Sequence, residues 1–77
     1  MSLNLPPDPE GKNRERATFA REALEAFRRA CRCDEEDAVK DLLCNLMHWC
    51  DRNGVEFAVA FDAALCAYRE ETGRLVS

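Results

Sequence analysis

Apolar residues recur along this chain at helical spacing in three separate blocks. In the first, Ala17, Ala20, Leu24, Phe27 and Cys31 follow three- and four-residue steps, and Phe19, Ala23, Ala26 and Ala30 widen the stripe. In the second, Val39, Leu42, Leu43, Leu46, Met47, Trp49 and Cys50 cover more than half of a helix circumference. In the third, Phe57, Phe61, Leu65 and Tyr68 make an i, i+4, i+8, i+11 series flanked by Ala60 and Ala64. This pattern predicts an all-α fold with helices over about 14–32, 35–52 and 56–72.

The punctuation between the blocks supports those boundaries. Arg28, Arg29 and Arg32 crowd the end of the first helix, where cations complement the negative end of the helix dipole. Asp34 is a suitable N-cap, and Glu35, Glu36 and Asp37 place negative charge in the first turn of the second helix. Asn53-Gly54 is a left-handed C-terminal stop, and Gly73 closes the third helix. The link around Asn53–Val55 is so short that the second and third helices are expected to form an αα-hairpin, with the first packed across it. Pro6, Pro7, Pro9 and Gly11 mark residues 1–13 as a disordered or extended arm. Residues 14–77 then make one helical domain.

Composition agrees with helices and limits the core. There is no Ile, and Val and Thr together number six, so the residues that favour strands are scarce. Of the 77 residues, 47% are hydrophobic, but 11 of these are Ala and five are Cys, which leaves 20 large apolar side chains. Five of the 20 (Met1, Leu3, Leu5, Leu75 and Val76) fall in terminal segments. About 15 remain to serve three helices, and small domains with so thin a core often supplement it by oligomerising. A homodimer is therefore expected, or contact with another protein. Met47 and Trp49 lie off the Val39/Leu42/Leu46 line, so with Tyr68 they are the interface candidates; Met and aromatic residues are enriched at interface cores.

Charge narrows the partners. The net charge is −4, divided as +2 over residues 1–33 and −6 over residues 34–77. The arginines of the first helix alternate with Glu15, Glu22 and Glu25 in the ordinary manner of a solvated face, so nucleic acid is not an expected partner. No apolar run approaches the roughly 18 residues of a membrane span, and no apolar stretch follows Met1 as in a signal peptide. With an odd number of cysteines, this points to the cytoplasm and free thiols. Cys44 and His48 share a helical face, yet the chain lacks the tight Cys-x2–4-Cys pairs typical of zinc sites. Four of the five cysteines fall on helical stripes, where a free thiol acts as a small buried hydrophobe.

Two pairs of carboxylates suggest a different chemistry. Glu22 and Glu25 share one face of the first helix, and Asp37 and Asp41 share one face of the second. Should the faces meet, the oxygen ligands would suit Mg²⁺. The stretch Glu22–Glu25, a twelve-residue gap and Ala38-Val39-Lys40-Asp41 resembles the E-x-x-E, spacer, E-x-x-D pattern of the MazG-type all-α nucleotide pyrophosphohydrolases. The resemblance implies Glu22, Glu25 and Asp41 as metal ligands, Asp37 as a substitute ligand, and Mg-dependent nucleotide hydrolysis. Three departures stand beside it: Ala38 replaces the first acid of the second pair, a Pro-containing arm stands in place of that family's preceding helix, and no separate basic or aromatic group is placed to hold a base and triphosphate. The second half is also similar to small uncharacterised bacterial helical proteins of plasmid- or phage-borne type. The main expectation is a cytoplasmic interaction or self-associating module with no assignable catalytic activity or cofactor; the Mg-dependent hydrolase is the alternative.

Overall fold

A computed structural model of the protein describes residues 5–73. It contains α1 (Lys12–Cys31), α2 (Glu35–Asn53) and α3 (Phe57–Thr72), with no strand among the described residues. The all-α, three-helix fold read from the pattern is the fold observed. What was expected of residues 1–4 and 74–77, including Leu75 and Val76, lies outside the described residues.

α1 begins two residues earlier than the apolar stripe suggests, so Lys12 and Asn13 are helical and do not belong to the arm. The cause is the sequence Asp8-Pro9-Glu10-Gly11, which carries Asp, Pro and Gly where a type I turn favours them. The Gly11 N–H closes this turn on the Asp8 carbonyl at 3.1 Å. Gly11 adopts φ 70°, which costs least at glycine. The turn carries the Asp8 carboxylate back onto the helix start. Its two oxygens accept the backbone N–H groups of Asn13 at 3.1 Å and Arg14 at 3.0 Å, two donors that have no partner within the helix.

The links are equally local. Arg32 ends α1 at φ 56°, with its N–H on the Arg28 carbonyl at 2.8 Å. α2 ends at Gly54, also left-handed, and the Cys50 carbonyl accepts N–H groups from both Gly54 and Val55. The second of these bonds, at 3.1 Å, is the six-to-one bond of a Schellman stop.

α1 packs on α2, and α2 packs on α3. The far end of α3 also returns to the start of α1. Asn13 Nδ2 donates to the Glu71 carbonyl at 3.1 Å, Arg16 Nε lies 3.4 Å from Glu71 Oε2, and Arg16 Nη1 donates to Asn13 Oδ1 at 2.6 Å. A 20-residue helix is about 30 Å long, so the two ends of α1 are well separated. α3 therefore cannot lie antiparallel along all of α2, whose first turn adjoins the opposite end of α1. The expected hairpin closes near its turn, and the far end of α3 diverges from α2 to meet the start of α1, so that contacts link the three helices in a ring.

This arrangement leaves little interior. Among the described residues only Ala38 and Cys50 are buried, at 2% and 7% exposure. Leu24, Phe27, Leu42, Phe57 and Leu65 are half-buried. The Phe57 and Phe61 rings stack at 5.9 Å.

Candidate functional site

α2 carries a line of exposed apolar side chains that starts at the α1–α2 seam, where Val39 borders the hollow between the two helices. Val39, Leu43 and Met47 stand at i, i+4 and i+8, one above another, and all three are exposed. Leu46 borders this ridge and is also exposed. Of the three residues singled out from the sequence, Met47 lies on the ridge. Trp49 is 55% exposed but sits about 160° away from Met47 around the helix. Tyr68 belongs elsewhere, on α3. Val39 and Leu43 were not among the interface candidates, and their i, i+4 relation to Met47 was the available signal. A wide apolar arc on α2 was legible; which part of it the neighbours would cover was not.

Tyr68 lines a cleft of about 580 Å³ where the arm, the start of α1 and the end of α3 converge. Leu5, Pro6 and Ala17 form its apolar walls, while Asp8, Arg14 and Arg16 contribute charge. The Asn13 N–H holds the Asp8 carboxyl below its ordinary value; desolvation opposes this, and the Arg14 N–H adds a smaller lowering effect. A second hollow, about 350 Å³, lies between α1 and the start of α2, with Ala17, Ala20, Leu24 and Ala38 on its walls. Small side chains leave this seam unfilled. Arg28 is also on this wall, and its Nε is buried without a hydrogen-bond partner among the described residues.

The acidic residues do not assemble. Among the described residues no three His, Cys, Asp or Glu side chains form a group able to hold a metal, so Glu22, Glu25, Asp37 and Asp41 are not brought together as one. Glu25 pairs with Arg28 of its own helix at 3.3 Å, and Asp41 lies 3.5 Å from Lys40. Glu22 and Asp37 are exposed, and the Asp37 N–H bonds to the Asp34 carbonyl in the first turn of α2. Ala38, which interrupts the E-x-x-D pattern, is the most buried of the described residues, a position where a carboxylate would be stripped of water.

The cysteines depart from their reading as free, buried thiols. Cys31 and Cys33 are joined by a disulfide across the end of α1, with Cα atoms 5.3 Å apart. Of the three free cysteines only Cys50 is buried; Cys44 and Cys66 are exposed. The two-residue spacing of Cys31 and Cys33 was the signal for the pair. No helix among the described residues is long and apolar enough to cross a membrane.

Comparison with protein-family models, curated proteins and solved structures finds no match to this chain. Its function has to be read from its own geometry.

Proposed function

We infer that the chain acts as a self-associating helical module of the cytoplasm, a homodimer joined through α2, with no catalytic activity of its own. The supporting observation is the ridge of Val39, Leu43 and Met47, exposed apolar surface on a regular helix. Its composition matches an interface core, poor in charge and rich in Met and aliphatic side chains. Light scattering or sedimentation at tens of micromolar tests this reading. The expected mass is twice 8.8 kDa, and a single-chain mass at that concentration overturns it.

A further inference from the structure

We propose that Cys31-Arg32-Cys33 is a thiol–disulfide exchange site, with Cys31 as the attacked sulfur and Cys33 as the leaving and resolving one. The disulfide contributes little to holding the fold. It closes a loop of only three residues, and the restraint a disulfide places on the unfolded chain grows with loop length. The adjoining last turn of α1 is closed without it, by the Arg32 N–H on the Arg28 carbonyl. Exposed disulfides of small structural value are the ones that exchange.

Accessibility and charge distinguish the two sulfurs. Cys31 is exposed and Cys33 half-buried, so an incoming thiolate reaches Cys31 more readily. Arg29 precedes Cys31 by two residues and attracts an anion, Arg32 stands between the two sulfurs, and Asp34, Glu35, Glu36 and Asp37 follow Cys33 and repel an anion. The attacking thiolate bonds to Cys31 Sγ, the sulfur–sulfur bond breaks, and its electron pair leaves on Cys33, which takes a proton from water. A second thiol of the reductant, once deprotonated, attacks its partner sulfur in the mixed disulfide and releases Cys31. The reductant, a small dithiol or two molecules of a monothiol such as glutathione, loses two electrons and two protons; the protein pair gains them. In a reducing compartment such a bond is transient, consistent with a redox role in the cytoplasm.

Equilibration in glutathione buffers of graded poise, followed by alkylation and mapping, tests the site. Trypsin cuts after Arg29 and Arg32, so Cys31 and Cys33 are read on separate peptides. The pair is expected to convert reversibly between disulfide and dithiol across the series. In Cys33→Ser, glutathione disulfide should trap a mixed disulfide on Cys31. Trapping there should be roughly tenfold faster than on Cys33 in Cys31→Ser, the low end of charge steering, and faster than on Cys44 and Cys66. A pair that stays reduced in the oxidising buffers overturns the proposal. So does trapping at Cys33, Cys44 or Cys66 as fast as at Cys31. The wild-type titration decides the matter even if a variant does not fold, and it does not depend on the oligomeric state.

Discussion

Asn13 and Glu71 are 58 residues apart in sequence, yet the Asn13 side-chain amide donates to the Glu71 carbonyl at 3.1 Å. That carbonyl belongs to the last turn of α3, where the helix itself offers no donor. Arg16 braces the contact from both sides, through Asn13 Oδ1 and through the Glu71 carboxylate. This triangle joins the beginning of the helical ring to its end. Asn13→Ala is expected to destabilise the fold by about 1 kcal/mol, the net value of an ordinary hydrogen bond, measured by urea unfolding at the helical circular-dichroism band. Glu71→Gln removes only an exposed ion pair and should cost less than about 0.5 kcal/mol, because the accepting carbonyl is backbone. Equal costs for the two would place the contact in the ion pair instead.

Asp8 gives α1 its pH dependence. Its folded-state pKa is lowered from 3.8, chiefly by the Asn13 N–H and then, against desolvation, by the Arg14 N–H. A depressed carboxyl adds stability that is complete above the unfolded value and is lost as pH falls through the folded one. Asp8→Ala should therefore melt below the wild type at neutral pH, with faster amide exchange at Asn13 and Arg14. The gap should begin to close near pH 3.8 and shrink further in stronger acid. A gap independent of pH would show that the carboxylate is not the source.

Gly54 isolates a backbone cost. Its φ is 68°, and nothing stands within 4 Å of an added Cβ, so a side chain there meets only its own backbone. Gly54→Ala should lose about 1–2 kcal/mol, the cost of left-handed geometry in an L-residue, and Gly54→Asn should lose less. Thermal melts resolve the difference, since 1 kcal/mol moves the midpoint of a domain this size by roughly 5 °C. An alanine variant as stable as wild type would mean that the α2–α3 link adopts another conformation.

Local order was legible where local chemistry dictates it. Asn53-Gly54 and the acidic first turn of α2 placed that helix within one residue, because caps act over three or four positions. Asp8-Pro9-Glu10-Gly11 carried the same kind of signal, but weighing its prolines only as breakers hid the turn and the cap behind it. The Asn13–Glu71 contact was not legible, since it depends on the angle at which α3 leaves α2, and no local rule fixes that angle. For the same reason the acidic pairs could be placed on their helices but not relative to each other. The wide apolar arc of α2 was evident in the sequence, yet which of its residues, Val39 and Leu43 among them, would stay exposed was not.

The exposed ridge on α2 yields the sharpest test of assembly. In a two-fold contact every substitution acts twice, once from each copy. Truncating Leu43 to Ala at a buried interface forfeits about 1–2 kcal/mol of apolar burial per copy, so the dimer should weaken by about 2–4 kcal/mol, or roughly 30- to 1,000-fold in dissociation constant. Met47→Lys should do at least as much, by placing a charge in the contact. Val59→Ala on α3 is the control: Val59 is exposed but off the ridge, and its removal should leave the mass unchanged. The melting midpoint of the wild type should rise with protein concentration, as mass action requires of a dimer, while those of Leu43→Ala and Met47→Lys should lose that dependence. Since Leu43 and Met47 touch water in the single chain, both variants should keep their helical spectrum at high dilution. If Leu43→Ala dimerises as tightly as the wild type while Val59→Ala does not, the copies meet through α3, and the ridge on α2 is not the seam.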